Sequence, residues 1–306
     1  MIVTRRRLLQ TGGAALAAAG GMVPVWAHAS TQVGAMQIDT LSDGNLVLPR
    51  NFILGAVPEE EAAAILDSFD IAGDSFTPDC NLTLMRDGTN TVIFDAGSGP
   101  NFMPSAGKLL DAMDALGVDP AEVTHVLFTH AHPDHLWGAL DDFDEPFFMN
   151  AAHLIGAEEL AYWMDPETVN TIGTERQAFA AGASRILATL DDYGVLETFD
   201  DGAEVLPGIT ARQFGGHTPG HMVFDLNSEG AGLTVVGDVI GNHHLAFARP
   251  GWPSGSDQDP EAGIVSRSAL LAELAESGRS LIGYHLPFPG IGTAVADGDG
   301  YRFVAA

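Results

Sequence analysis

The chain has 306 residues, with 13 Lys+Arg against 41 Asp+Glu, a formal net charge of −28, a single Cys and 46% hydrophobic residues. That apolar content supports one or two packed domains, and 36 Gly and 17 Pro spread along the chain exclude a disordered tract, a collagen-like repeat and a disulfide scaffold. A negative charge of this size, uninterrupted by a basic stripe, opposes phosphate backbones, which excludes nucleic acid and anionic membrane surfaces as expected partners.

The first segment carries Arg5-Arg6-Arg7, an uncharged Ala/Gly/Leu stretch to Val25, and Ala27-His28-Ala29 with small residues spaced for signal peptidase. It resembles a twin-arginine secretion signal, since Gly and Ala outweigh Leu where a membrane-spanning helix would be richer in large apolar residues. The expectation is a signal over residues 1–29 and a single domain over 30–306, periplasmic or secreted, with no stable membrane insertion after signal removal. Loss of three Arg and no acid takes the net charge from −28 to about −31. Cys80 then stands alone in an oxidising compartment, without a disulfide partner. It reads as a small buried residue at a strand start, far from any of the candidate ligands below.

Along the mature chain, apolar runs at Asn81–Arg86 and Thr91–Asp95 flank Asp87-Gly88, a hairpin signal. Leu109, Leu110, Met113 and Leu116 have helical spacing, closed by Gly117. Val123–Thr129 reads as a strand. Helical segments are expected near Ala151–Trp163 and Glu175–Leu190, followed by strands at Ile209–Phe214, Met222–Leu226 and Leu233–Val236. A helix over Glu261–Ser277 and a strand over Ser280–Gly283 complete a second half of similar order. Strands and helices alternating in two halves predict a layered α/β protein with sheets inside and helices outside.

The densest chemistry lies at the end of the Val123–Thr129 strand, where His130-Ala131-His132-Pro133-Asp134-His135 packs four metal-competent side chains into six residues. On extended backbone His130 and His132 point the same way and can share one divalent ion. Asp134 and His135, beyond a Pro-directed turn, can face a second site. Further candidates follow other strands: His217 in Gly215-Gly216-His217-Thr218-Pro219-Gly220-His221, where one ligand suffices and His221 reads as a loop brace, Asp238 after Val235-Val236-Gly237, and His285 after Tyr284. These are strand C-terminal ends, where α/β sheets carry their sites. His243 and His244 are close enough to line the cavity or compete with His285, and His125 reads as a structural strand residue.

With these motifs the chain resembles the metallo-β-lactamase superfamily, which implies a four-layer αββα sandwich with a binuclear site. Carried over residue by residue, the resemblance implies that His130, His132 and His217 hold one metal, that Asp134, His135 and His285 hold the other, and that Asp238 bridges them. Asp95, in Phe94-Asp95-Ala96-Gly97, matches the family's buried acid that supports the His loop. Two divalent ions can hold a bridging hydroxide and polarise the oxygen it attacks, so hydrolysis is the expected reaction, with Asp134 and Asp238 as catalytic groups. The all-His/carboxylate set suits zinc, and iron, manganese and cobalt remain open.

A Cys in the second metal site and a substrate-gripping Lys, both usual in true β-lactamases, have no counterpart here, since Lys108 is the only Lys and sits on an early helix. Few cations in the C-terminal half argue further for a small neutral ester. The closest resemblance is to the methyl parathion hydrolase group, through His285-Leu286-Pro287-Phe288-Pro289-Gly290-Ile291-Gly292 and Gly300-Tyr301-Arg302-Phe303. That group's chemistry implies lactones, aryl esters or organophosphate triesters as substrates and an aromatic leaving-group pocket, for which Phe102, Trp163 and Phe179 are the candidates. Alternatives are an acyl-homoserine lactonase, favoured if Tyr162, Tyr193 or Tyr284 reaches the site, and a non-catalytic metal-binding scaffold. A homodimer stays open.

Overall fold

A computed structural model describes residues 28–55 and 57–306 of the chain. Most of the expected signal, with its arginines, lies outside the described residues. The described part opens inside the segment read as a signal: β1 (His28–Val33) pairs with β2 (Met36–Asn45) from His28 onward, two residues before the expected boundary. The short strands β3 (Leu48–Pro49) and β4 (Ser75–Phe76) form a separate pair. Next come β5 (Asp79–Arg86), β6 (Thr91–Phe94), β7 (His125–Leu127), β8 (Ala152–Gly156) and β9 (Leu196–Phe199). The second half supplies β10 (Glu204–Leu206), β11 (Ile209–Gln213), β12 (Met222–Ser228), β13 (Ala231–Val235), β14 (Ser280–Ile282), β15 (Ile291–Asp297) and β16 (Gly300–Ala305).

They form two seven-stranded sheets, ordered β1-β2-β5-β6-β7-β8-β9 and β10 to β16 in sequence. Period-two alternation explains how they stack. In the first sheet Leu82, Leu84, Ile93 and Val126 face the helices Leu109–Leu116 and Gln177–Asp192, while Met85, Val92, Phe94 and Leu127 point the other way. In the second, Phe224 and Ile282 meet that inner face, while Val223 and Leu281 turn to Leu270, Leu271 and Leu274 of the helix Pro260–Ser277. Helix, sheet, sheet, helix is the four-layer αββα arrangement expected from the sequence.

One expected element changes type. Ala152–Gly156, read as the start of a helix, is a strand wedged between β7 and β9, parallel to both, and the helix begins only at Ala157. Two open ladders capture the segment, and pairing on both edges outweighs local helix propensity. No helix of the described residues is long and apolar enough to cross a membrane.

Candidate metal centre

The strand pairs β6·β7 and β13·β14 run parallel. Their C-terminal ends therefore open on one edge of the sandwich, where Asp95, the His130–His135 loop, Asp238 and His285 emerge. After β7 the chain stays pinned: Phe128 N donates to Leu154 O, and Thr129 donates to the Asp95 carboxylate through both its N (2.7 Å) and Oγ1. Pro133 then starts a one-turn helix, Pro133–Leu136, so Asp134 and His135 leave the loop on a different side from His130 and His132. Gly237, at φ 51°, brings Asp238 in; a Cβ there would meet His221 Nε2 at 2.6 Å.

Six residues bring donor atoms to two adjoining points, with Asp238 between them. His132 Nδ1 lies 3.0 Å from His130 Nε2 and 2.9 Å from His217 Nε2. A zinc ion with bonds of 2.0–2.1 Å sets tetrahedral neighbours about 3.3 Å apart, close to this triangle. On the other side, Asp134 Oδ2 is 3.4 Å from His135 Nε2 and 3.2 Å from His285 Nε2. Asp238 spans the two, with Oδ2 3.4 Å from His217 Nε2 and 3.2 Å from His285 Nε2, and Oδ1 3.3 Å from His135 Nε2. Asp134 Oδ2, His135 Nε2 and Asp238 Oδ1 are buried with no hydrogen-bond partner among the described residues. Such convergence of lone-pair donors on two points, with three of the atoms left without a hydrogen-bond partner, fits two divalent cations.

Each imidazole is oriented through its other nitrogen. His135 Nδ1 donates to Asp95 Oδ2 (2.8 Å), and His285 Nδ1 to Asp79 O (2.8 Å). His130 Nδ1 meets Thr129 Oγ1 (3.0 Å), His132 Nε2 the Gln258 amide (3.2 Å), and His217 Nδ1 faces Asp257 Oδ1 at 3.4 Å. Of these partners only Asp95 was legible beforehand; Asp79, Asp257 and Gln258 carried no motif.

Charge is arranged to match. Burial, joined by neighbouring imidazoles, pushes His130 and His132 well below the usual histidine range, so both present neutral lone pairs. Against the cost of burial, His285 and His135 hold Asp238 well below the usual carboxylate range and also hold Asp134 down. Those two histidines are raised in turn, again against burial, by Asp238 and Asp134. Dications binding here would take the place of those protons.

The centre floors a cavity of about 590 Å³ lined by His132, Asp134, His217, Asp238 and His285. Phe102 and Phe179 stand in its wall, edge to face at 6.1 Å, with Phe52, Ile53, Ile71 and Phe76 beyond. Trp163 does not, and the expectation of a substrate-pocket role is corrected. It is buried behind His132, ring centroids 5.8 Å apart, with Nε1 donating to Glu159. Its place at the end of a helix is on the side packed against the core.

Cys80 is a second correction. Far from the ligands in sequence, its thiol lies within 4.8 Å of donor atoms of Asp134 and His285, because Asn81 N bonds Tyr284 O and draws β5 alongside the His285 loop. Burial pushes the thiol up to about 12. His221 is a brace, its Nε2 accepting from Asp238 N (3.0 Å). His243 and His244 line the cavity but pack on Phe69 and Phe76, outside the converging donor sets. None of the three tyrosines lines the cavity; Tyr284 lies beneath the centre, its hydroxyl donating to Asp134 O.

A family profile described as the metallo-beta-lactamase superfamily matches residues 77–282. Metallo-beta-lactamase domain-containing protein 1 of Xenopus laevis is 44% identical over 67% of this chain and 71% of its own. N-acyl homoserine lactonase AttM of Azorhizobium caulinodans is 31% identical over 45% of this chain, which spans about half (50%) of that lactonase. Among solved structures, the hydrolase AbOPH in the beta lactamase superfamily superposes with a TM-score of 0.85 at 28% identity, covering 91% of this chain and 97% of that one.

Proposed function

The chain belongs to the metallo-β-lactamase superfamily, and on that premise we propose that it is a binuclear metal-dependent hydrolase of small esters, with lactones and aryl esters ahead of phosphotriesters. The observation that carries the reading is the joining of both donor sets to the floor of one apolar-walled cavity. His130, His132 and His217 are proposed to hold one cation and Asp134, His135 and His285 the other, with Asp238 shared; zinc is the first metal to test. When bound, the two cations supply polarisation of the ester oxygen and a water acidic enough to attack near neutral pH.

The chain's own groups do the rest. His135 and His285 both press on Asp134 Oδ2, which leaves Oδ1 to take the proton of the attacking water and return it to the leaving oxygen. Tyr284 fixes that carboxylate's backbone through its hydroxyl. Phe102 and Phe179 offer apolar area to an acyl chain or an aryl leaving group.

The lactonase relative supports lactones, N-acyl homoserine lactones among them, and the likeness of the His285–Gly292 tail to the methyl parathion hydrolase group supports phosphotriesters as a further class. A panel of lactones, aryl esters, phosphotriesters and β-lactams on metal-quantified protein tests the order. Fastest turnover on a β-lactam would overturn it, and no turnover at two metals per chain would return the fold to a binding role. The proposal extends to export of the folded, metal-loaded protein, on the strength of Arg5-Arg6-Arg7. Changing Arg5 and Arg6 to Lys is expected to retain the protein in the cytoplasm, measured by fractionation; unchanged export would remove this part.

A further inference from the structure

Arg176 ends the 3-10 turn Thr174–Arg176 that leads into the helix Gln177–Asp192, three residues before Phe179. It is 7% exposed and lines the cavity beside His132, His217 and Phe179. One nitrogen, Nη2, donates to the carbonyls of Gly255 (2.9 Å) and Ser256 (3.0 Å), and the guanidinium lies 5.8 Å from the Phe52 ring centroid. Nε and Nη1 have no acceptor among the described residues. Nor does any described carboxylate form an ion pair with it; Glu175 and Asp257 act only as longer-range charges.

Of the two buried arginines among the described residues, Arg267 is paired with Asp257, whereas Arg176 has no carboxylate partner. Unlike Arg86 Nε, which is buried without a hydrogen-bond partner, the free N–H groups of Arg176 open on the cavity, where water or a substrate oxygen can accept from them. The expectation of a neutral ester counted few cations in the C-terminal half and did not weigh Arg176.

We infer that Arg176 is a specificity residue whose free N–H edge binds an oxygen acceptor that the substrate carries apart from the bond being cleaved, either an amide carbonyl or a carboxylate. The inference rests on the reading of the cavity as an ester site. Arg176 and Phe179 would then grip the same molecule from one element, the first by its acceptor oxygen and the second by its apolar chain.

The test uses metal-loaded wild type and R176M on matched pairs: a hexanoylamino γ-lactone against an alkyl γ-lactone of equal length, and the 4-nitrophenyl monoester of adipic acid against 4-nitrophenyl heptanoate. A hydrogen bond from a charged donor predicts a loss of about 10- to 100-fold in kcat/KM, carried mainly by KM, on the acceptor-bearing member of a pair. The other member should change by less than about threefold. Loss confined to the first pair assigns the acceptor as an amide carbonyl, and loss confined to the second assigns a carboxylate. Equal loss on all four would reduce Arg176 to a strut for Gly255 and Ser256 and overturn the inference. If R176M does not fold, R176Q, which keeps an N–H for the Gly255 carbonyl, is read in the same way. If wild type cleaves none of the four, the ester reading fails, and calorimetry with N-butylhexanamide and monomethyl adipate decides separately: binding at least about tenfold weaker in R176M sustains the acceptor role, and unchanged or undetectable binding overturns it.

Discussion

Asp238→Ala is expected to lower hydrolysis of 4-nitrophenyl acetate or a γ-lactone by roughly 10³-fold or more, because the carboxylate proposed to be shared by both donor sets would be lost, and with it several kcal/mol of transition-state stabilisation. Its oxygens face His217, His285 and His135 at 3.2 to 3.4 Å, so one substitution opens both donor sets. Metal content measured by mass spectrometry should fall below two per chain. His130→Ala should act on the first set alone, leaving Asp134, His135 and His285 able to retain a cation while turnover is lost. Two metals per chain and activity within tenfold of wild type in Asp238→Ala would refute the shared-ligand assignment. Prolonged chelation of wild type should reproduce the loss, and restored divalent metal should reverse it, which separates absent metal from damaged fold.

The readable part of this centre is the part written in contiguous sequence. HxHxDH needs only an extended strand end and a Pro-directed turn to aim its side chains, and both are local. Asp238 and His285 were legible because each follows an apolar strand run. What escaped depends on contacts that only the fold creates. Cys80 and His285 are neighbours because β5 runs beside the loop after β14. Glu158 and Glu159 are adjacent acids on one helix, yet the first is at the surface with Gln213 while the second is fully buried, and spacing alone does not rank them. Part of the acidity is structural, which charge counting does not show: Asp39 is buried against Arg86, and Asp43 accepts from the backbone N–H groups of Ser98, Gly107 and Leu109. Ala152–Gly156 shows the same limit in secondary structure, since nothing within its five residues announces the two ladders waiting for it.

Glu159 leads to the second large effect. Its Oε1 accepts from Ala131 N (2.9 Å) and Trp163 Nε1 (2.6 Å), and its Oε2 from Thr218 Oγ1 (2.8 Å) and Gly220 N (3.0 Å). Ala131 separates His130 from His132, and Thr218 and Gly220 bracket the turn after His217, so one buried carboxylate clamps the two loops that build the first donor set. The packing is close: a Cβ on Gly220 would sit 2.2 Å from Glu159 N. Glu159→Ala leaves four donors without an acceptor, and with partial relaxation the expected destabilisation is about 3–5 kcal/mol, measured by urea unfolding of the metal-free protein. Glu159→Gln preserves shape and one acceptor oxygen, so it should cost about 2 kcal/mol, with one pair of donors left facing an NH₂ group. Because His132 and His217 would no longer be held in register, metal affinity should fall by about 10- to 100-fold even in the Gln variant, judged by competition with a chromogenic chelator. A Gln variant that loses stability but binds both metals as wild type would make Glu159 a packing residue only; loss of affinity at nearly native stability would establish it as the residue that sets the geometry of the first metal position.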